Sequence, residues 1–435
     1  MKRLSTFITL MLIAFMLQAQ QANQINFDQL AKKIEKSNNE IADAKKSVKV
    51  NTWITRGDLY TEVYESQLLN AYPGMDFQAF GIVVGKPMQQ TQEETDGVAI
   101  DKYVMERVDF FFINGKLDHW KFTKPLIEKP LDIAYESYNK AIELDNGGKK
   151  SKKIIEGLSK LKGDLVNEGS NLYARKDYKG AFENFVKVVK IGEKPLLNHK
   201  DTAIYYYTAL SAQLAGLYEE ALPYYEKALK LDFTSEGSIY FNIFDAYRSL
   251  GKADEGVKYL EDGFLKYPQN TSILFSLIGY YLNKGENADR IIELINKAIS
   301  QEPNNSSLYF AKGTLYDRLG NEDLADSAYS KAIEIDSNYF DAYYNLGVLY
   351  FNIGVKYLEE ANKVPANETE KYDEIMENAG KEFKKAMPYM EKAREIKPDS
   401  KEVLEALKSI YFRFRNESEE LMNKYNEVNE KIKSL

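Results

Sequence analysis

The sequence of 435 residues contains no cysteine and only two histidines, His119 and His199. The absence of cysteine excludes disulfides, thiolate metal ligands, a cysteine nucleophile and lipid attachment through an N-terminal cysteine. Neither histidine has a second ligand at a metal-binding spacing, and the motifs GxSxG, GxGxxG and the Walker phosphate loop are also missing. The sequence therefore predicts no cofactor, no metal site and no enzymatic activity.

Long hydrophobic runs are absent after the first residues of the chain. Lys2 and Arg3 precede an apolar run over residues 4–17, and Leu-Gln-Ala at residues 17–19 supplies a cleavage site. This pattern is typical of a secretory signal peptide over residues 1–19. We expect an exported protein, periplasmic or secreted, that is soluble and has no transmembrane segment after cleavage. The alternative is an uncleaved anchor.

The chain carries an excess of negative charge, with 66 acidic and 58 basic residues and a net charge of −8. A general nucleic-acid binder needs a basic surface that displaces counterions, so no nucleic-acid partner is expected. The basic run at residues 149–153 is interpreted as a solvated junction between a loop and a helix, with binding to an anionic surface as the alternative.

The dominant feature of the sequence is a repeat that is clearest over residues 306–336. Tyr309, Gly313 and Tyr316 lie at the spacing of one helix face, and a Gly-Asn turn at residues 320–321 follows. Ala325 then begins a second apolar set at helical spacing. Two antiparallel helices of this size cannot bury both their faces, so they need copies stacked on either side.

The position of Gly313 recurs at Ala209, Phe244, Gly279 and Gly347, which are 34 or 35 residues apart. This recurrence resembles the tetratricopeptide repeat (TPR) family. The residues that carry the resemblance are Tyr205, Ala209, Ala221, Tyr225, Ala228, Tyr240, Tyr247, Leu260, Pro268, Phe275, Gly279, Leu282, Ala298, Pro303, Tyr343, Leu346, Gly347 and Tyr350. The resemblance implies an all-α fold, a right-handed superhelix of about seven to eight helical hairpins.

Two interruptions divide the predicted array of repeats. The expected organisation after the signal peptide is a capping helix (20–48), a first hairpin (49–145) interrupted by an insertion (73–128), a regular array (146–354), a repeat with an elongated helical hairpin (355–399), and a degenerate last repeat with a C-terminal capping helix (400–435). Terminal helices of this kind cover the open ends of a repeat array.

The insertion predicts a small β flap on the first hairpin. An Asn-Gly pair at residues 114–115 separates two β-prone runs, which is the strongest short hairpin pattern. We expect Phe112 to lie opposite Leu117, and Phe110 opposite His119. Residues 80–86 are expected to add a third strand, and the polar residues 89–102 to form a mobile loop.

The elongated hairpin follows Gly347, because the second-helix alanine expected at residue 359 occurs only at Ala386. The turn is expected at Pro365 and Asn367, with Asn367 and Glu370 as a capping box. The hairpin should extend beyond the stack by roughly 20 Å at 1.5 Å per residue.

The TPR resemblance implies that the first helix of each hairpin lines a concave groove that holds a peptide or a partner helix. Candidate partner-binding residues on these helices are Tyr206, Gln213, Phe241, Arg248, Tyr280, Asn283, Phe310, Asp317, Tyr344 and Asn352. Aromatic anchors beside hydrogen-bonding side chains suit peptide recognition. We expect about half of the aromatic members to be buried between repeats instead.

Three functional hypotheses follow from the sequence. The first is a non-enzymatic exported TPR scaffold that binds an envelope protein, in cell-envelope assembly or secretion. The second is a protein that binds a small ligand or a glycan, or is catalytic, with its site at the insertion (73–128). The third is a self-assembling structural component. TPR folds host many roles, so the fold alone does not choose among these hypotheses or fix the oligomeric state.

Overall fold

The computed structural model describes residues 25–95, 97–197, 201–284 and 288–434. The predicted signal peptide (1–19) and His199 lie outside the described residues. The chain divides into two compact units, an N-terminal unit (Met1–Phe233) and a C-terminal unit (Thr234–Leu435). No helix of the described residues has the length and apolar character that crossing a membrane requires.

The N-terminal unit consists of eight described helices and one small sheet. Its helices are α1 (Phe27–Ala42), α2 (Val50–Gln67), α3 (Phe77–Val83), α4 (Pro130–Leu144), α5 (Ser151–Ala174), α6 (Tyr178–Gly192), α7 (Thr202–Leu214) and α8 (Tyr218–Lys230). Its strands are β1 (Gln89–Thr95), β2 (Val98–Val104), β3 (Val108–Ile113) and β4 (Lys116–Phe122). The predicted β-containing insertion is therefore confirmed.

The first hairpin is formed by α2 and α4, which are separated in the chain by the insertion. Tyr138 on α4 is buried, and its ring lies directly against Gly57 on α2. A Cβ atom at Gly57 would approach the ring to 2.7 Å, closer than real Cβ contacts. The Tyr138 hydroxyl donates a 2.6 Å hydrogen bond to Asp58. Tyr138 thus packs the second helix of the hairpin, α4, against the first helix, α2, although the insertion separates them in the chain.

The sheet of the insertion is antiparallel, with the strand order β1-β2-β3-β4. Phe112 pairs with Leu117 as predicted, but Phe110 pairs with Trp120 and not with His119. The prediction was wrong there because a bulge after Phe111 shifts the register, so that Phe111 pairs with His119.

Two further predictions for the insertion were wrong. Residues 89–102, expected to be a mobile loop, form β1 and most of β2, which are paired through their backbones. The polar sequence of β1 is largely exposed and shows no apolar alternation, so the strand is invisible to a pattern search.

The expected third strand at residues 80–86 is instead the short helix α3 and the residues after it. Asp76 caps this helix by accepting a 2.8 Å hydrogen bond from the backbone N–H of Ala79. Phe77 and Phe80 are three residues apart and therefore share one helix face, which packs on the aromatic residues of the sheet.

The C-terminal unit is entirely helical in its described residues. Its helices are α9 (Ser238–Ser249), α10 (Ala253–Lys266), α11 (Thr271–Asn283), α12 (Asp289–Gln301), α13 (Ser306–Arg318), α14 (Glu322–Ile335), α15 (Phe340–Ala361), α16 (Thr369–Ile396), α17 (Lys401–Phe414) and α18 (Glu419–Ser434), with a 3-10 turn (Ser235–Gly237) before α9. These helices form antiparallel hairpins, α9/α10 through α17/α18, so the all-α repeat fold is confirmed.

Glycine brings the two helices of a hairpin into close contact. A Cβ atom at Gly313 on α13 would lie 2.6 Å from the Tyr329 ring on α14, and one at Gly347 on α15 would lie 2.9 Å from Met390 on α16. Tyr329 and Met390 are fully buried. The small residue of the repeat thus makes room for a large side chain of the second helix.

The elongated hairpin near the C-terminus is confirmed: α15 has 22 residues and α16 has 28, against 13 or 14 in the hairpin before it. Phe383 in α16 is buried against Gly354 and the Phe351 ring. The expected capping box was wrong, because α16 begins after Glu368 and no side chain caps it.

Candidate functional site

The most regular surface feature of the C-terminal unit is a set of polar side chains at one position of successive first helices. We call Arg248, Asn283, Asp317 and Asn352 the polar row. Arg248, Asn283 and Asp317 occupy the equivalent position of α9, α11 and α13, four residues after Phe244, Gly279 and Gly313. In α15 that position is Phe351, which packs on Phe383, and Asn352 is the next residue. Arg248, Asn283 and Asn352 are exposed and Asp317 is half-buried. Three hydrogen-bonding groups therefore recur at one position of successive repeats, and Asn352 is offset from it by one residue.

Two members of the polar row have distinct electrostatic surroundings. Arg248 forms an ion pair with Asp245 of the same helix, which leaves its guanidinium on the surface. Partial burial raises the pKa of Asp317, although the nearby cations Lys356 and Arg318 lower it. The row thus contains a positive and a negative side chain, with two neutral amides.

The corresponding residue of the N-terminal unit, Gln213, is used inside its own repeat. Its side-chain oxygen accepts a 2.6 Å hydrogen bond from the hydroxyl of Tyr225 on α8. Tyr206, also on α7, is buried with its ring centroid 5.2 Å from that of Phe233. Both residues therefore contribute to packing within the N-terminal unit.

The aromatic candidates of the C-terminal unit differ in exposure. Phe310 is only 3% exposed, with its ring centroid 5.9 Å from that of Tyr329 and 5.4 Å from that of Tyr339. Tyr339 directly precedes the next first helix and closes over Phe310. Phe241 and Tyr344 are half-buried. Of the five predicted aromatic candidates, Tyr206 and Phe310 therefore belong to the core.

Tyr280 is half-buried and takes part in a surface cluster. Its hydroxyl donates a 2.8 Å hydrogen bond to Asp254, which also forms a 2.6 Å ion pair with Lys284. The hydrogen bond to Asp254 and partial burial both raise the Tyr280 pKa, burial having the larger effect. This cluster holds the Tyr280 ring in place near the polar row.

An exposed ring that the sequence did not assign to a site lies on α11. Phe275 is 40% exposed, and the guanidinium of Arg318 on α13 lies 5.3 Å from its ring centroid. A cation over an aromatic face is a favourable contact. The sequence pattern placed Phe275 among the packing residues of the repeat, so only the structure reveals its exposure.

A buried polar network in the N-terminal unit also escaped prediction. Glu168 on α5 accepts hydrogen bonds at Oε2 from the Tyr64 hydroxyl (3.1 Å), the Trp120 indole (3.3 Å) and the Asn171 amide (3.3 Å). Asn171 in turn accepts a 2.8 Å hydrogen bond from the backbone N–H of Trp120. The network attaches β4 to α5. Burial raises the pKa of Glu168 to about 7, despite the hydrogen bonds that lower it.

The two histidines provide no evidence for a metal centre. His119 contacts Asp118 at 2.8 Å, and its ring stacks on Phe111. In the part of the chain that the structure describes, no three histidine, aspartate or glutamate side chains are grouped closely enough to hold a metal ion.

Sequence profiles of known families match the repeats directly. The profile described as "Tetratricopeptide repeat" matches residues 203–235 and 306–339, and one described as "TPR repeat" matches residues 325–354. The chain is a tetratricopeptide repeat protein. The matched segments contain the hairpins α7/α8 and α13/α14. The hairpin α13/α14 is the segment in which the repeat is clearest in the sequence. A TPR fold is generally a scaffold for interaction between proteins.

Similar proteins share the repeats over part of this TPR chain. A TPR repeat-containing protein of Methanocaldococcus jannaschii is 25% identical over 29% of this chain and 23% of its own length. A photosystem I assembly protein of Prochlorococcus marinus is 30% identical over 24% of this chain and 58% of its own length. A crystal structure of a TPR repeats protein from Bacteroides fragilis is 25% identical, with a TM-score of 0.28, over 57% of this chain and 97% of that one. The match thus spans about a quarter of the length of the first curated relative and somewhat over half of the length of the second.

Proposed function

We propose that this TPR protein is an exported, non-enzymatic scaffold that binds an extended segment of a protein partner along the polar row. The observation that carries the proposal is the recurrence of hydrogen-bonding side chains at one position of α9, α11 and α13, followed by exposed Asn352 one residue past that position in α15. Core packing does not require these groups, because three of the four are exposed.

The spacing of the row suits an extended peptide. Packed helices lie about 8–10 Å apart, and an extended chain covers that distance in roughly three residues. A bound segment would therefore present a backbone or side-chain group to each row residue in turn. The half-buried rings of Phe241 and Tyr344, together with exposed Phe275, provide apolar contacts beside the polar ones. Such repeated main-chain and side-chain contacts are the usual basis of peptide recognition.

The binding site is tested by substituting exposed residues only. We expect Arg248→Ala, Asn283→Ala and Asn352→Ala together to abolish capture of the partner that the full chain cross-links in a cell-envelope extract. The matched control replaces Lys258, Lys297 and Lys331 of the second helices α10, α12 and α14; the first two are exposed and the Lys331 side chain is 42% exposed. Surface substitutions of this kind change stability little, so both triple variants should remain folded.

The outcomes separate the scaffold from self-assembly. The scaffold proposal is supported if the triple variant of the polar row no longer captures the partner and the triple lysine variant still does. Equal capture by both variants overturns the assignment of the row. If the protein captured by the wild-type chain is only another copy of itself, the chain is a self-assembling component and the scaffold proposal fails.

Export and an envelope partner are part of the proposal. They are supported by the positive start, the apolar run and the Leu-Gln-Ala sequence within residues 1–19. The intact-mass spectrum of protein from fractionated cells tests this. We expect a chain that begins after Ala19, recovered outside the cytoplasm. An intact chain recovered with the cytoplasm would contradict export.

A further inference from the structure

A cavity of about 280 Å³ lies in the N-terminal unit, beneath the end of the insertion. It is lined by residues of α2, α5 and α6, by the end of β4 and by the segment that leads into α4. Phe122, Ile127, Leu131 and Leu172 provide apolar walls. Its size is close to the lower end of ordinary ligand pockets and suits a molecule no larger than a single amino acid.

One carboxylate that lines this cavity has an oxygen without a partner. Glu168 lines the cavity, and its three hydrogen-bond donors all bind Oε2. Oε1 has no partner among the described residues, and the side chain retains part of its surface. An ionised carboxylate that is largely removed from water is costly unless a cation compensates it. The raised pKa of Glu168 is the expected consequence of that missing compensation.

The cations around the cavity do not supply the missing contact. Lys187 forms a 2.7 Å ion pair with Asp132, and Lys129 lies 3.8 Å from Glu183. Arg175 and Lys121 also line the cavity, but both are exposed and neither bonds to Glu168; Arg175 lowers the Glu168 pKa through the electrostatic field. The position next to Oε1 is therefore open to a positive group from outside the chain.

Gln67 lines one wall of the same cavity and is 1% exposed. Its side-chain oxygen accepts hydrogen bonds from the backbone N–H groups of Leu126 and Ile127, which hold the segment that leads into α4. The Gln67 Nε2 has no partner and almost no accessible surface, so a molecule in the cavity does not reach it. Recognition in the cavity therefore depends on Glu168 and on the apolar walls.

We propose that the cavity binds a small primary amine that carries an apolar group. The protonated amine contacts Glu168 Oε1, and the apolar group packs against Phe122 and Leu172. L-leucinamide has this chemistry. This site is in the N-terminal unit and does not depend on the polar row, so its success or failure leaves the proposed scaffold function untouched.

The two tryptophans of the chain give the test a local reporter and an internal control. The Trp120 indole N–H bonds to Glu168, whereas the Trp53 indole N–H donates a 2.7 Å hydrogen bond to the carbonyl oxygen of Ser47. In nitrogen-15 NMR spectra of the full chain, titration with L-leucinamide should move the Trp120 indole signal and leave that of Trp53 in place.

The role of the amine is tested by comparing L-leucinamide with 4-methylpentanamide, an analogue that lacks only the amino group. Both ligands are titrated into the wild-type protein. A charge-assisted hydrogen bond is worth about 1.5–3 kcal/mol, so this analogue should bind roughly 10- to 100-fold more weakly. Glu168→Gln should weaken L-leucinamide by a similar factor. Glu156→Gln, an exposed residue of the same helix, should have no effect.

Three results would overturn the proposal. The first is no shift of the Trp120 signal at the highest L-leucinamide concentration. The second is equal binding of the analogue without the amine, which would reduce the cavity to an apolar site. The third is unchanged affinity in Glu168→Gln. The comparison of the two ligands uses the wild-type protein, so it stands even if the variant folds poorly.

Discussion

Replacing Gly157 with alanine tests how the interrupted first hairpin is rebuilt. Tyr138 of α4 lies against Gly57 of α2 and also against Gly157 of α5. A Cβ atom at Gly157 would approach the Tyr138 ring and hydroxyl to well under 3.0 Å. The ring is buried and its hydroxyl is bonded to Asp58, so it has little freedom to move away.

The expected magnitude follows from two opposing effects. Overpacking a core costs about 1–3 kcal/mol, and the distance at Gly157 favours the upper part of that range. Alanine gains about 1 kcal/mol over glycine inside a helix. Gly163 lies in the same helix α5 with nothing within 4 Å of an added Cβ, so Gly163→Ala keeps only the gain. We therefore expect Gly157→Ala to be less stable than Gly163→Ala by about 1–3 kcal/mol.

Thermal unfolding followed by circular dichroism measures this difference. For a unit of this size, 1 kcal/mol corresponds to a shift of about 2–4 °C in Tm. Tyr138→Leu removes the obstructing ring, so Gly157→Ala should cost less in that background. Equal Tm values for Gly157→Ala and Gly163→Ala would refute the role of Tyr138 in seating α4.

Three other predictions concern stability. Burial raises the folded-state pKa of Glu168 to about 7. The contribution of the protonated Glu168 side chain to the free energy of unfolding is therefore complete below pH about 4, and it is lost as the pH rises through 7. At pH 8 the free energy of unfolding of Glu168→Gln, measured with urea, should therefore exceed that of the wild type by roughly 2–3 kcal/mol. This difference should vanish at pH 4. Phe310→Ala should lose about 3–5 kcal/mol because Phe310 is buried, whereas half-buried Phe241→Ala should lose clearly less in the same thermal unfolding experiment. Phe383→Ala should destabilise the elongated hairpin by about 3–5 kcal/mol, seen as faster amide hydrogen exchange in α15 and α16. The first argument is contradicted if the stability of Glu168→Gln depends on pH as that of the wild type does. The second is contradicted if Phe310→Ala and Phe241→Ala lose equal stability. The third is contradicted if amide exchange in α15 and α16 is unchanged in Phe383→Ala.

The helical repeats were predictable because each hairpin is held by local contacts. Gly313 and Tyr329 belong to neighbouring helices of one hairpin, and both recur at a fixed spacing. The late arrival of α4 was also visible, since its apolar residues keep the spacing of a second helix. Neither inference requires knowledge of distant parts of the chain.

The errors in the insertion have a different origin. Strand β1 is stabilised by backbone pairing with β2, so its side chains carry no alternation. Helix α3 depends on the Asp76 cap and on the sheet that covers Phe80, and together these effects are stronger than the β propensity of Ile82 and Val83. Short elements of this kind are decided by their surroundings.

The candidate site was only partly predictable for a similar reason. The equivalence of Arg248 and Asn283 follows from the repeat, whereas Asn352 lies one residue past the equivalent position, which Phe351 occupies. The burial of Phe310 follows from Tyr339, which precedes the next helix and packs over it. Glu168 looks like a solvated residue of an amphipathic helix until the insertion places Trp120 beside it.

Photo-crosslinking in intact cells tests the central proposal most directly. A photoreactive phenylalanine analogue is placed at Asn352 of the polar row or, as the control, at Lys331 on the second helix α14, whose side chain is 42% exposed. The proposal predicts that Asn352 cross-links to one protein other than the chain itself, and that Lys331 does not. Cross-links of equal yield at both positions, or cross-links only to a second copy of the chain, would contradict it.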